Sequence, residues 1–233
     1  MHLVIANKLY SSWSLRPWLV MRAFDIPFHE TVIPLRQPDT KQRILQYSPT
    51  GKVPVLIDVT AEGGEAIVWE SLAIISYLAD RFPETPMWPK GSAALAHAKA
   101  ISMEMHAGFQ TLRQACPMNL GKRFAAPPMT DDLKANIERL EQLWRTARQR
   151  FATTPGPFLF GAFTAADAMF APVVTRLDTY SLPVAAETRI YMDAVLSHPA
   201  FKQWKAEALR EPWRIPDYET GHTVLEDYLK SVA

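Results

Sequence analysis

The 233-residue chain is long enough for one large domain or two modest ones, and 48% hydrophobic with 21% charged residues marks it as folded rather than disordered. A formal net charge of +1 leaves no electrostatic case for nucleic acid or an anionic membrane, and no apolar run approaches a membrane span. The single cysteine, Cys116, excludes an internal disulfide and a cysteine-rich metal site.

The predicted elements begin with a buried strand at His2 to Asn7, centred on Leu3-Val4-Ile5. No basic stretch followed by an apolar core stands at Met1 to Ala6, so a cytoplasmic protein is expected. Leu15, Trp18, Leu19 and Ala23 recur at helical spacing. Pro17 is compatible with that helix in its first turn, which places the start between Ser12 and Ser14. Phe28 to Leu35 alternates as a strand, and Pro38-Asp39 opens a short helix ending near Tyr47. Val55-Leu56-Ile57 and Ile67-Val68-Trp69 flank Gly63-Gly64 as a β-hairpin, and Ser71 to Arg81 follows as an amphipathic helix. Pro83, Pro86, Pro89 and Gly91 then mark a linker.

Beyond the linker the strand signal largely disappears. Helices are predicted over Ala93 to Arg113, Asp131 to Phe151, Ala165 to Thr179, Glu187 to Leu196 and Pro199 to Leu209. Thr164 and Asp167 form a capping box for the third of these. The tail starts irregularly at Glu211 and is expected to end in a short helix around Val224 to Leu229. The change of pattern divides the chain into residues 1–82, a linker over 83–91, and residues 92–233.

Three N-terminal features bear on chemistry. Ser11-Ser12-Trp13-Ser14 stands where the first strand passes into the first helix. A serine there caps free helix N–H groups, or its hydroxyl and the helix dipole favour a bound thiolate over a thiol of ordinary pKa near about 8.5. Val53-Pro54 precedes a predicted strand; a cis bond would turn the Val53 N–H and C=O outward, open to an extended peptide. Glu70-Ser71 opens the third helix, whose N–H groups suit a carboxylate while Glu70 suits an ammonium, the two charges of an amino-acid head group.

Taken in order and spacing, the Val53-Pro54 motif, the Glu70-Ser71 pair, the proline-rich linker, the helical second half and the Thr164-Ala165-Ala166-Asp167 box resemble the glutathione transferase superfamily over nearly the whole chain. The resemblance implies an α/β thioredoxin-like N-terminal domain joined to an all-α C-terminal helical bundle. It implies glutathione as co-substrate, a small electrophilic and mainly hydrophobic second substrate, and a homodimer, with no metal, nucleic acid or membrane. Val53 with Pro54 would pair with the cysteinyl backbone of glutathione, Glu70 and Ser71 would hold its γ-glutamyl end, and Lys52 with Gln37 its glycyl carboxylate. Ser11 takes the thiol-activating position of serine-type members, with Ser12 the fallback and Ser14 weaker. Trp13, His106 and Gln110 would face the second substrate, His106 having also a structural reading. The segment Ser11-Ser12-Trp13-Ser14-Leu15-Arg16 is similar to that of the zeta class but has Trp13 in place of cysteine and Leu15 in place of tryptophan. The implied activity is transfer of the glutathione thiol to an electrophile. Glutathione-dependent isomerisation and non-catalytic glutathione binding are the alternatives.

Overall fold

The computed structural model describes residues 1–60, 62–152, 154–219 and 221–231. The apolar run Leu3-Val4-Ile5 lies in strand β1 (His2–Ile5), which pairs in parallel with β2 (His29–Val32) and antiparallel with β3 (Val55–Val59). Strand β4 (Glu65–Trp69) returns antiparallel to β3 through a turn where Gly63 takes a φ of 80°, giving the order β2-β1-β3-β4. Alternate strand residues point to opposite faces, and the core divides accordingly. Leu3 and Ile5 join Trp18 of helix α1 (Ser12–Ala23) and Ile75 of α3 (Ser71–Arg81). Val4 and Val55 pack on the other face with Ile33 and with Ile44 of α2 (Thr40–Leu45).

The remaining helices are α4 (Ser92–Ala107), α5 (Gln110–Ala115), α6 (Asp131–Phe151), α7 (Ala165–Thr179), α8 (Ala186–Ser197) and α9 (Pro199–Leu209). Every residue of α7 except Asp178 is buried, and α7 packs against α1, α4 and α8. Its start is held by Asp167, whose carboxylate accepts from Thr164 N–H at 2.8 Å, Thr164 Oγ1 at 2.9 Å and Leu159 N–H at 3.0 Å. One apolar core runs from Leu3 through α7 to Ile215, so the sheet side and the helical side share buried surface. Lys8 adds a polar tie between them: its buried ammonium bonds Glu30 at 2.5 Å and also Glu207 of α9, with the Trp18 and Trp204 rings alongside.

Three expectations are corrected. Helix α1 starts at Ser12, within the expected window, but Pro17 therefore sits in its second turn rather than its first and withholds the N–H that the Trp13 carbonyl would accept. The single helix expected over Ala93 to Arg113 is two, α4 and α5. Phe109 adopts a φ of 62°, and a Cβ on Gly108 would lie 2.8 Å from the Glu104 carbonyl oxygen, so the chain turns there. His106 and Gln110 therefore do not share a helix face. The expected helix at Val224 to Leu229 is instead strand β6 (Val224–Asp227), paired antiparallel with β5 (Lys122–Phe124), followed by a 3₁₀ turn over Tyr228–Ser231. Val224 opposite Phe124 favours a pleated pairing that local helix propensity does not anticipate. This two-stranded sheet is a small exception to the helical C-terminal half. It lies outside the cleft described next.

Candidate functional site

The Val53–Pro54 peptide bond is cis. Among the described residues neither the Val53 N–H nor its C=O bonds another backbone group, although β3 begins two residues later. Facing this loop is the head of α3. Ser71 is fully buried at its first position. Glu70 caps it with φ 70° and ψ 127°, a conformation that non-glycine residues hold only when their surroundings impose it. Between the two lies a cleft of about 340 Å³, lined by Thr50, Lys52, Val53 and Pro54 on one side, Trp69 and Glu70 on another, and Trp13 and His106 closing it. That volume falls within the range of about 300–1,000 Å³ typical of small-molecule sites.

The predicted residues divide in two. Lys52, Val53, Pro54, Glu70, Trp13 and His106 meet in the cleft, with Ser71 directly behind Glu70. Ser11, Ser12, Gln37 and Gln110 are absent from its lining. Ser11 is the N-cap of α1. Its Oγ accepts from Ser14 N–H at 3.3 Å and donates to Ser14 Oγ at 2.8 Å, which in turn accepts from Ala6 N–H at 3.1 Å. The Ser12 hydroxyl turns inward and accepts from Arg176 Nη2 at 3.3 Å. Gln37 is exposed and closes the turn into α2, its Nε2 donating to the Leu35 carbonyl at 3.4 Å. Gln110 begins α5 and donates to the Ala107 carbonyl at 3.3 Å.

Behind the cleft wall stands a group the motifs did not flag. The Arg16 side chain is fully buried, with its guanidinium carbon 4.1 Å from the centre of the Trp13 ring. It donates to Ser71 Oγ and to Met105 Sδ, each at 3.4 Å. Arg113 lies 5.2 Å from the same ring and donates to the carbonyls of Gly108 and Met105. Arg176 of α7 is buried too, donating to the Cys116 carbonyl at 2.5 Å and to Ser12. Burial pushes the Arg16 guanidinium well below its ordinary value, Arg113 and Arg176 push the same way, and Glu70 opposes them. The available signal was a lone charge within an apolar run, as in Val173-Val174-Thr175-Arg176-Leu177.

The His106 ring meets Trp13 edge-on at 5.0 Å, and its Nε2 lies 3.8 Å from Glu70 Oε2. Burial first, then Arg16, lowers its pKa against the pull of Glu70, so the imidazole is neutral at pH 7. Its Nδ1 is buried without a partner among the described residues. A second cavity of about 340 Å³ opens between α6 and α8 against Trp144, Arg148 and Tyr191. Its lining takes in the first turn of α8 at Glu187 and Thr188 but none of the predicted site residues, whereas the cleft at Val53 gathers six of them and is the better-equipped site.

Residues 10–81 match the family model described as glutathione S-transferase, N-terminal domain, and residues 123–230 match that of the C-terminal domain. The chain is 32% identical over 108 residues to a probable maleylacetoacetate isomerase of Caenorhabditis elegans, covering 45% of this chain and 48% of that protein. It is 27% identical over 171 residues to a zeta-class glutathione S-transferase of Euphorbia esula, covering 67% and 72%. The match to the first of these relatives thus spans about half of its length. Among solved structures, a Burkholderia glutathione transferase homologue with bound glutathione aligns over 89% of this chain and 96% of that one, at 20% identity and a TM-score of 0.64. FzlA from C. crescentus aligns over 98% and 97%, at 16% identity and a TM-score of 0.61. At such identities these likenesses establish the fold.

Proposed function

The chain belongs to the glutathione S-transferase family, and from that premise we propose that it binds glutathione in the Val53 cleft and transfers its sulfur to a small electrophile. One observation supports this above the others: an unpaired stretch of backbone at Val53 and the head of α3 with Glu70 face each other across one cleft. An extended peptide pairs with the first as an added strand, and an amino-acid head group suits the second. In this reading Val53 and Pro54 take the cysteinyl backbone, Ser71 and Glu70 take the γ-glutamyl carboxylate and ammonium, and Lys52 takes the glycyl carboxylate, while Gln37, outside the cleft lining, is left out of the site. The thiol then points toward Trp13 at the start of α1. Its S–H bond breaks with the electron pair kept on sulfur, the proton passes to water, and the thiolate forms a bond to an electrophilic carbon whose own electrons move to a leaving group or acceptor. Trp13 and His106 supply an aromatic wall for that second substrate. Thiolate addition is also the first step of glutathione-dependent isomerisation, the activity carried in the name of the Caenorhabditis relative.

A specific observation favours a second reading. The Ser11 and Ser12 hydroxyls are both engaged away from the cleft, as suits a protein that binds glutathione without turnover. Retention on immobilised glutathione, followed by a panel of electrophiles, separates the two. Retention with turnover supports the transferase, retention alone the binding protein, and failure of the wild type to bind glutathione sinks both. Glu70→Gln and Ser71→Ala are expected to weaken retention.

The proposal extends to organisation. Residues 1–82 form the glutathione-holding unit, 83–91 the linker and 92–233 the helical unit, in a cytoplasmic homodimer. The exposed apolar residues Val59, Ile67 and Trp69 on the β3–β4 face support self-association. Sedimentation showing only monomer would refute the dimer. Among the described residues no helix is long and apolar enough to cross a membrane.

A further inference from the structure

We infer that the bound thiol is ionised chiefly by a buried cluster of three guanidiniums, Arg16, Arg113 and Arg176, acting through the Trp13 wall, and not by a serine hydroxyl. The inference rests on glutathione occupying the Val53 cleft.

Each of the three comes from a different element, α1, α5 and α7, and each spends its hydrogen bonds on neutral groups. These are Ser71 and Met105 for Arg16, the Gly108 and Met105 carbonyls for Arg113, and the Cys116 carbonyl and Ser12 for Arg176. Among the described residues none of them has a carboxylate within ion-pairing distance, and the Nε atoms of Arg16 and Arg176 are buried without partners. Buried arginines are ordinarily paired, because an uncompensated charge in a poorly solvated interior is unfavourable. Here the positive charge is left for something to offset. The wall between this cluster and the cleft is one indole ring, with Arg16 and Arg113 at 4.1 and 5.2 Å from its centre. An anion arriving on the far side of Trp13 supplies the missing counter-charge.

The serines are poorly placed for the same task. To donate to a cleft thiolate, Ser11 must give up the proton it donates to Ser14 Oγ at 2.8 Å, and Ser12, whose Oγ accepts from Arg176, is absent from the cleft lining. The field needs no such rearrangement. At about 10 Å and an effective dielectric of about 20, one unit charge moves an ionisation equilibrium roughly tenfold. The other charged groups facing the cleft are Glu70 at the head of α3, which opposes the cluster, Lys52 on the loop before Val53, which adds to it, and His106 on α4, which is neutral at pH 7. The N-terminal dipole of α1 adds in the same sense. These arginines are positioning groups: they set the protonation of the thiol without touching it.

The test is the pKa of the bound thiol, read from thiolate ultraviolet absorbance of the protein–glutathione complex across pH. The wild type is expected to hold it at least one pH unit below free glutathione, and the shift should survive high salt because the cluster is shielded from ions. Arg113, the least buried of the three, is the tractable variant. Arg113→Gln should raise the bound value by about one unit, a roughly tenfold loss of thiolate at fixed pH, and Arg113→Lys should restore most of it. Ser11→Ala should move it less than Arg113→Gln does. A wild-type value equal to that of free glutathione overturns the inference, as does a shift abolished by salt or one lost in Ser11→Ala and kept in Arg113→Gln. In each of those cases glutathione binding itself stands. Absence of binding overturns the proposed function and this inference together.

Discussion

The Arg16 guanidinium carbon lies 4.1 Å from the centre of the Trp13 ring, so the aromatic side chain that walls the cleft rests on a fully buried cation. Stacking and burial are thereby one interaction: the ring shields Arg16 from water, and Arg16 fixes the ring.

This relationship makes Trp13→Ala a two-fold loss, of apolar packing and of a cation–π contact. It is expected to destabilise the fold by about 2–4 kcal/mol in denaturant unfolding, with Trp13→Phe losing less than half of that. An unchanged unfolding midpoint in Trp13→Ala would show that the ring does not shield Arg16.

Asp167 accepts three hydrogen bonds at the start of the buried helix α7. Asp167→Ala leaves those donors unpaired and should cost about 3–5 kcal/mol, while Asp167→Asn keeps one acceptor and costs less. Burial pushes the carboxyl up to about 6 against the hydrogen bonds that favour its anion. A folded value above the unfolded one of about 3.9 means that the native state binds more protons between those values. The Asp167 contribution to stability therefore falls as pH rises from about 4 to about 6. Stability–pH curves of the wild type and Asp167→Asn should diverge in that window; parallel curves would contradict the assignment.

Burial lowers the pKa of His97, His106 and His198, with Arg150 adding to the effect at His97 and Arg16 at His106. A depressed folded value leaves the unfolded chain binding more protons, so acidification through about 6.5 removes stability. NMR titration should place all three midpoints below about 6.5. His97→Phe, which keeps a ring against Phe151 at its present 4.4 Å stack, should flatten the slope. A midpoint above 6.5 for His106 would mean that Glu70 outweighs burial.

Lys8, in the loop between β1 and α1, ties β2 to α9 through Glu30 and Glu207, and its backbone N–H, like that of Leu9, donates to the Glu211 carboxylate. Lys8→Met removes the shared cation and leaves the carboxylates facing one another. Because both ion-pair partners are about a third exposed or less, the expected loss is about 2–4 kcal/mol of unfolding free energy. Glutathione affinity should not change, since Lys8 is not in the cleft lining. A matching loss of affinity would mean that the two halves of the molecule position the cleft through this tie.

Much of this molecule is written in short-range signals. Ser71–Arg81, Asp131–Phe151 and Ala165–Thr179 are helices with the same ends that spacing and caps predict, because apolar periodicity and a Ser, Thr or Asp at the start act within a few residues. The Gly63-Gly64 hairpin is legible for the same reason, and Val53-Pro54 and Glu70-Ser71 mark the two sides of the cleft. What the sequence by itself could not determine depends on partners distant along the chain. The turn at Phe109 separates His106 from Gln110, and β6 is a strand only because β5 lies beside it. Arg16, Arg113 and Arg176 meet around Trp13 and Ser12 only through the packing of α1, α5 and α7. The Ser11 hydroxyl turns to Ser14 as the local cap that its position predicts, but only the tertiary structure brings Arg176 of α7 to the Ser12 hydroxyl. A short-range cap is set by neighbours in sequence, whereas a long-range partner is set by packing.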